Sequence, residues 1–386
     1  MFDQIIAVAN QFCVAGQPVG IQCTDSGNIN KTFIVTYQLP DRTKQRYVIQ
    51  KINTIAFTEP YKVMKNIELV EDLISKQKVE RSDLRQSLNI IRTKDGNSML
   101  VITDPTGEKD YYRAYNCIEK AVSFDNTDNL DIVYNTGKAF GNFQSMLADL
   151  PIEELEETIP NFHNTKIRYE RFMRDVSKDT VDRAASVISE IEFVKSRKEL
   201  STILTSAIEE QRIPLRVCHN DTKISNVMMR QDKGQWNFET VIDWDTIMPG
   251  CSGYDFGDGV RSATATTTED DTDLTKVSFD TAVLKAYAKG YLEEMAPFMD
   301  EPEVTLLGQS IKVITYELGI RFLNDYINGD TYFNIKYPNH NLDRARNQFK
   351  LLTEFEKAFP EINDYIMATY KELRPTGQRL VKEYYE

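Results

Sequence analysis

One segment, from residue 217 to residue 245, constrains the fold of this chain more than any other part of its sequence. It begins with an apolar strand end, passes through a polar loop, turns at Asp232-Lys233-Gly234-Gln235 and returns on a second apolar strand. The loop contains Asp221, Lys223 and Asn226, and the returning strand ends directly at Asp243. Because Asp243 directly ends a strand, we expect its side chain to be held rigidly.

The residue types in this loop are those of a phosphotransferase that uses ATP. Phosphoryl transfer needs little covalent chemistry from the protein, so its catalysts mainly position a hydroxyl group and neutralise phosphate charge. Asp221 is expected to orient the attacking hydroxyl or accept its proton, and Lys223 to reach the γ-phosphate. Asn226 and Asp243 are expected to hold Mg²⁺ against the phosphates of ATP. The spacing is typical of the kinase catalytic loop H-R-D-x-x-x-x-N, with Asn220 in place of the Arg.

Two residues near this loop are expected to have structural roles. His219 is expected to fix the loop by hydrogen bonding rather than to act as an acid or base. Asp255-Phe256-Gly257 spells the metal motif of protein kinases, but it follows a loop that contains Pro249 and Gly250. We therefore assign the metal to Asp243, with Asp245 as a helper, and expect Asp255 to be a buried acceptor that braces the catalytic loop.

The first part of the chain predicts a small antiparallel sheet and one helix. Strands are expected at 32–37, 46–51, 98–102 and 110–115, and a helix with one apolar stripe at about 59–78. The polar loop 26–32 can lay backbone N–H groups over phosphates. Lys51 ends its strand with the spacing of the kinase strand whose Lys pairs the α/β-phosphates, and Glu71 on the helix is the candidate to orient it. The nucleotide-binding residues predicted here are Asn28, Asn30, Thr32, Lys51 and Glu71.

Length and composition favour a cytoplasmic enzyme with two lobes. At 386 residues the chain exceeds the usual size of one hydrophobic core. We expect an N-terminal nucleotide-binding lobe at 1–115 and a larger, mainly helical lobe at 116–386 with the catalytic loop and the acceptor site. The net charge of −13, without a block of Lys and Arg, argues against nucleic acid or an anionic membrane as a partner. Five Cys without a C-x-x-C pair, and no long apolar run, favour free thiols in the cytosol. The oligomeric state is left open.

Several segments resemble the aminoglycoside phosphotransferase/choline kinase-like superfamily. They are His219-Asn220-Asp221-Thr222-Lys223 through Asn226, and Met248-Pro249-Gly250 through Asp255-Phe256-Gly257-Asp258. More narrowly, the chain resembles the N-acetylhexosamine 1-kinases in segments 27–32, 47–53, 160–165, 241–250, 257–261 and 321–333, so the resemblance covers most of its length. Three positions depart from that pattern: Lys51 stands where an Arg is expected, Asn28 where a His is expected, and Ser225 where an Asn is expected. The change at Asn28 lies in the nucleotide and sugar loop and bears on the sugar preference.

The resemblance implies a protein-kinase-like α+β fold with two lobes. It also implies transfer of the ATP γ-phosphate to the anomeric hydroxyl of an N-acetylhexosamine such as N-acetylglucosamine or N-acetylgalactosamine. The implied sugar site comprises Asp221, Arg261, Arg321 and Tyr332. On the residues alone, an Arg at position 321 beside aromatic side chains can hydrogen-bond sugar hydroxyls, and a salt bridge with Asp325 or Asp330 is the open alternative.

Two other functions are weighed against this one. A kinase for choline, an aminoglycoside or another hydroxyl acceptor should present several carboxylates, and Glu269, Asp270 and Asp271 could form such a wall. A non-catalytic nucleotide-binding protein is disfavoured, because the polar residues of the loop and the metal strand are all present.

Overall fold

The computed structural model describes residues 2–24 and 29–374, and it has an antiparallel sheet in its N-terminal part and helices in its C-terminal part. The sheet confirms the predicted α+β fold. Its strands, in the order β1-β2-β3-β5-β4, are β1 Gln17–Thr24, β2 Lys31–Gln38, β3 Lys44–Lys51, β4 Leu100–Thr103 and β5 Lys109–Asn116. The predicted boundary between residues 115 and 116 falls at the end of β5 and stays a prediction.

Two helices cover the sheet, where the sequence predicted one. Helix α2, Pro60–Glu80, is the predicted helix, and Val63, Ile67 and Val70 on its apolar stripe are buried. Helix α1, Phe2–Ala9, is additional. It is only eight residues long, which is too short for a helical period to stand out in the sequence.

The two faces of the sheet have different neighbours, and the alternation of side chains along each strand decides which residues meet which neighbour. One face, called the α1 face here, packs against α1 through Phe33 and Val35 of β2, Tyr47 and Ile49 of β3, and Ala114 of β5. The opposite face, called the inner face, is directed toward the C-terminal part.

The C-terminal part consists of eight helices and two short strand pairs within the described residues. The helices are α3 Leu130–Met146, α4 Thr165–Lys178, α5 Ile188–Lys195, α6 Ile203–Glu209, α7 Ser252–Thr264, α8 Thr281–Met295, α9 Glu301–Ile327 and α10 His340–Leu373. The strand pairs are β6 Arg216–Cys218 with β9 Met248–Gly250, and β7 Val227–Asp232 with β8 Gln235–Val241. The predicted hairpin is the second of these pairs.

Close packing of α3 on α8 forms the centre of this part. Gly137 lies so near α8 that an added Cβ would be 2.1 Å from the carbonyl oxygen of Tyr287, and Gly290 lies equally near α3. Nothing larger than hydrogen fits at either position without moving a backbone. No helix among residues 2–24 and 29–374 combines the length and apolar character that a membrane span requires.

Candidate active site

The catalytic loop leaves β6 at Cys218 and is held from below by Asp255 on the first turn of α7. This carboxylate is fully buried and accepts hydrogen bonds from the backbone N–H of His219 at 2.9 Å and of Asn220 at 2.7 Å. It also accepts a third from Gln144 at 2.7 Å. The prediction that Asp255 braces the loop is therefore confirmed, and its carboxylate is occupied by protein donors rather than open to a metal.

His219 is the second residue that braces the catalytic loop, as the sequence predicted. Its ring is fully buried between the edges of Phe140 and Phe143. Nδ1 accepts from the backbone N–H of Asp221 at 3.3 Å, so the proton is on Nε2, which donates to the carbonyl of Ile242 at 2.9 Å. The ring thus ties the loop to the strand that leads to Asp243, and both of its nitrogens are used.

The loop brings Asp221, Lys223 and Asn226 together as predicted. Asn226 donates through Nδ2 to Asp221 Oδ2 at 2.9 Å and to the Asp221 carbonyl at 2.8 Å. The ammonium of Lys223 lies 2.9 Å from the same oxygen, Oδ2. Burial lowers the pKa of Lys223, but the carboxylates of Asp221, Asp243 and Asp258 outweigh it, and the net pKa is raised. Lys223 is therefore a cation under all ordinary conditions.

Asp243 follows β8 at the start of a tight turn and has a left-handed backbone, with φ of 63°. Asp tolerates this conformation better than most residues, and such positions occur often at functional sites. Its side chain is exposed at the edge of the loop. Desolvation by the surrounding walls, and then the charges of Asp245 and Asp221, raise the pKa of Asp243 to about 6.

These residues suit a hard divalent cation. Repulsion among the carboxylates is relieved by a positive charge, and carboxylate and amide oxygens are the ligands that Mg²⁺ prefers. Nδ2 of Asn226 is used by Asp221, so its Oδ1 is the atom suited to a metal. The described residues contain no group of three or more His, Cys, Asp or Glu positioned around one ion.

The inner face of the sheet contacts this turn at Asp245, a buried residue of the turn. Asn30, just before β2, donates through Nδ2 to Asp245 Oδ2 and accepts through Oδ1 from the backbone N–H of Asn53 at 2.9 Å. Thr32 faces inward, where its hydroxyl accepts from Gln50 at 3.1 Å. Asn30 therefore contacts the turn that presents Asp243, Thr32 lies beside Gln50 on the same face of the sheet, and Asn28 lies outside the described residues.

The structure does not bring Lys51 and Glu71 together, contrary to the expected pairing. Lys51 shares the parity of Tyr47 and Ile49 on β3, so it projects from the α1 face, where its ammonium lies 2.6 Å from Asp110 Oδ1. Glu71 accepts from the backbone N–H of Ile90 at 2.6 Å, and burial is the main cause of its raised pKa. Successive side chains of a strand point to opposite faces of the sheet. A shift of the motif by one residue along β3 therefore places the Lys on the opposite face.

Arg261 is buried and its donors are used within the protein. Its Nε and Nη2 donate to Asp258 Oδ1 at 3.2 and 2.8 Å, and Nη1 donates to Glu269 at 2.9 Å. Asp258 Oδ2 in turn accepts from the backbone N–H of Thr222 at 3.1 Å. In this structure Arg261 supports the catalytic loop, and direct contact with an acceptor stays a prediction.

Arg321 lies on α9, and Tyr332 lies on the segment after it. The guanidinium of Arg321 lies 5.4 and 5.6 Å from the ring centres of Phe162 and Phe333, and within the described residues no carboxylate is at salt-bridge distance. The ring of Tyr332 is 70% exposed. The alternative salt bridges of Arg321 are not formed: Asp330 pairs with Arg183, and Asp325 is occupied as described next.

The roles of three groups in this region were not predicted from the sequence, which left Arg168 unassigned and offered Asp325 only as a possible partner of Arg321. Asp325 accepts from the backbone N–H groups of Thr331, Tyr332 and Phe333 at 2.8 to 3.0 Å and so shapes the aromatic segment. The buried carboxylate of Glu317 accepts from Thr165 and contacts His163 Nδ1 at 2.9 Å. The three contacts to backbone N–H groups are invisible in a sequence because any residue supplies them.

Arg168 is the third of these groups and adds a second cation near Arg321. Burial, and then the charge of Arg321, lower the pKa of Arg168 to about 10. Its guanidinium donates to the carbonyl of Phe162 and lies 3.5 Å from Glu317. Two guanidinium groups, those of Arg168 and Arg321, thus lie in one region of a protein of net charge −13.

A small cavity lies away from these residues, between α2, α3 and β8. Its volume is about 30 Å³ and its lining includes Ile74, Lys78, Arg85 and Phe238. Such a volume holds about one or two water molecules. It is therefore not the site of a nucleotide.

Fold and site together define the chain as a kinase-like protein with a catalytic loop between a sheet and a helical part. The model of the phosphotransferase enzyme family matches residues 85–299, more than half of the sequence. The chain belongs to this family.

Solved structures share the fold. A microcompartment-associated aminopropanol kinase is 13% identical, with 94% of this chain and 99% of that chain covered and a TM-score of 0.57. The choline kinase from Cryptosporidium parvum Iowa II is 13% identical, with 97% and 99% covered and a TM-score of 0.55. An amicoumacin kinase in complex with AMP-PNP, Ca²⁺ and Ami is 14% identical, with 94% and 93% covered and a TM-score of 0.57. At these identities the similarity establishes the fold.

Proposed function

We propose that this protein is an ATP-dependent sugar kinase that transfers the γ-phosphate to the anomeric hydroxyl of an N-acetylhexosamine. The product would be the sugar 1-phosphate. The observation that carries the phosphotransferase part is the shared contact of Asn226 and Lys223 with one oxygen of Asp221, beside the exposed carboxylate of Asp243.

In this proposal Asp221 orients the acceptor hydroxyl and takes its proton. Its Oδ2 is occupied by Asn226 and Lys223, which leaves Oδ1 for the hydroxyl. Lys223 contacts the γ-phosphate, and Asn226 with Asp243 holds Mg²⁺. When bound, the metal neutralises charge on the phosphate oxygens, which the loop cannot do alone with one ammonium group.

The nucleotide is proposed to lie between the inner face of the sheet and the turn at Asp243. Asn30 supports this because it contacts Asp245 of that turn, and Thr32 shares the inner face, where it contacts Gln50. Roles for Asn28, Lys51 and Glu71 in nucleotide binding stay predictions.

The acceptor is proposed to lie against Asp221 with Arg321 and Tyr332 around it. Arg321 keeps donors available because it has no carboxylate partner within the described residues, and an exposed Tyr ring can stack on a sugar face. Asn28, in place of a His, leaves the choice between N-acetylglucosamine and N-acetylgalactosamine to experiment.

The alternative, a cationic acceptor such as choline or an aminoglycoside, has less support. Glu269 pairs with Arg261, and Asp270 pairs with Lys336 at 2.8 Å and contacts His340 at 3.3 Å. These carboxylates are therefore compensated within the protein. The cations Arg168 and Arg321 would also repel a positively charged acceptor.

A ³¹P NMR product assay with ATP, Mg²⁺ and a panel of acceptors tests the proposal. We expect N-acetylglucosamine or N-acetylgalactosamine to give a 1-phosphate, and their methyl glycosides to be inert because the anomeric oxygen is blocked. Phosphorylation of a methyl glycoside, or of choline with no free sugar accepted, would contradict the sugar 1-kinase assignment and leave the family assignment intact.

A further inference from the structure

A buried cation lies on β5, on the face of the sheet that is directed toward the turn at Asp243. Arg113 is 1% exposed, and it shares the inner face with Tyr111 and Tyr115. It stands directly opposite Gln50 in the pairing of β3 with β5. Protein kinases supply this cation as a Lys on the third strand of the sheet. Here the inward residue of β3 is Gln50, and Lys51 projects from the α1 face.

Arg113 contacts Asp245 and is fixed by Gln50. Its Nη1 forms an ion pair with Asp245 Oδ1, and its Nε and Nη2 donate to Gln50 Oε1 at 3.0 and 2.9 Å. Gln50 donates in turn to Thr32. The guanidinium is therefore held in one orientation by two side chains, Gln50 on β3 and Asp245 on the turn after Asp243.

Asp245 connects this cation to the metal-binding turn. It lies two residues after Asp243 in the same short helical turn, 244–246. Its second oxygen accepts from Asn30, which precedes β2. One buried carboxylate thus joins β5, the segment before β2 and the turn that presents Asp243.

We propose that Arg113 is a positioning residue of the phosphotransfer site, which acts through Asp245 to hold the metal-binding turn against the nucleotide-binding face of the sheet. It supplies from β5 the charge that a Lys on the third strand supplies in protein kinases. This inference rests on the proposed function for the nucleotide and metal, but not on the identity of the acceptor.

The test is binding of the Mg²⁺ complex of AMP-PNP by isothermal titration calorimetry, at several Mg²⁺ concentrations and without an acceptor. For Arg113→Met we expect the Kd to rise at least tenfold and half-saturation by Mg²⁺ to shift upward. A double variant, Gln50→Lys with Arg113→Met, returns a cation to the opposite position of β3. It should recover most of the lost affinity.

Arg46→Met is the matched control. Arg46 shares the inner face and strand of Gln50, but it lies at the far end and pairs with Glu119 at the surface. Its Kd should stay within twofold of the parent. Thermal unfolding of each variant separates loss of fold from loss of binding.

The inference is overturned if folded Arg113→Met binds within twofold of the parent. If that variant does not fold, the double variant decides: loss of Mg²⁺-dependent binding in a protein that keeps a cation at position 50 overturns it, and recovery supports it. A parent protein that does not bind the nucleotide at all would instead contradict the proposed function, so the two failures are distinguishable.

Discussion

At the scale of single residues, the site separates groups that face the reaction from groups that hold them. Within the described residues, no donor contacts Oδ1 of Asp221 or either carboxylate oxygen of Asp243, whereas Asp255 and Asp258 accept from backbone N–H groups and from Gln144 or Arg261. The same residue type thus has two roles within one site. Burial and available donors distinguish them, because a buried carboxylate must be compensated inside the protein.

Asp221→Asn tests the reacting carboxylate. We expect kcat to fall by about 10²–10⁴, the usual contribution of a general base, while the Kd for the nucleotide changes little. The measurement is steady-state kinetics together with calorimetry. Asp232→Asn, an exposed carboxylate at the β7–β8 turn, is the control. A kcat within a few-fold of the parent would remove Asp221 from the mechanism.

Arg321→Ala tests the acceptor side. Loss of a charge-assisted hydrogen bond should reduce transition-state stabilisation by about 1.5–3 kcal/mol, measured as a decrease in kcat/KM for the sugar. The KM for ATP should change little. Arg171→Ala serves as a control because its side chain is mostly exposed on α4. Equal losses for both substrates would point to a folding defect, and no loss would place the acceptor elsewhere.

At the scale of elements, α7 is the support of the catalytic loop. Its first turn presents Asp255 to two consecutive backbone N–H groups, and its next turn presents Asp258 to a third. Arg261 on the same helix compensates Asp258. The helix therefore sets the shape of a loop that has little regular structure of its own.

Asp255→Asn tests this support. The amide keeps one acceptor oxygen but turns an NH₂ group toward a backbone donor, so we expect a loss of about 1–3 kcal/mol in the free energy of unfolding. Urea denaturation measures it. The Mg²⁺ dependence of nucleotide binding should be unchanged, whereas Asp243→Asn should shift it. The reverse outcome would move the metal to Asp255.

At the scale of the whole molecule, the family match and the proposed acceptor residues occupy different regions. The family match ends at residue 299, after the catalytic loop, the metal strand and α8. Arg321 and Tyr332 lie beyond it, on α9 and the segment before α10. The match therefore includes the catalytic loop and the predicted metal strand, whereas the residues proposed for the acceptor lie outside it.

The contact between α9 and the segment before α4 predicts a pH dependence of stability. Burial raises the pKa of Glu317, but His163, Arg168 and Thr165 outweigh it, and the net pKa is lowered. A carboxylate with a folded pKa below its unfolded value of about 4.3 stabilises the fold above that pH. The stabilisation is lost as the pH falls through the folded pKa.

Glu317→Gln should therefore lower the melting temperature at pH 6 and reduce its further decrease between pH 5 and pH 3.5. Differential scanning calorimetry measures both. Glu192→Gln is the control because that side chain is exposed. A variant whose melting temperature falls as steeply as that of the parent would contradict the role of Glu317.

The sequence by itself determined the local features of the site. Asp221 and Asn226 are five residues apart on one loop, and the strand that ends at Asp243 is fixed by its hairpin, so their meeting needs few distant contacts. The alternation of side chains along β3 also predicts that Lys51 shares a face of the sheet with Tyr47 and Ile49. These are properties of neighbours in the chain.

Only the tertiary structure decided which face of the sheet meets the C-terminal part. Once α1 covers the face of Tyr47 and Ile49, Lys51 is turned away and Arg113 becomes the inward cation. The contact between the sheet and the turn at Asp243 joins distant positions: Asn30 and Asp245 are 215 residues apart. No local pattern encodes such a contact, because it forms when two separately folded surfaces pack and buried charges must find partners across them.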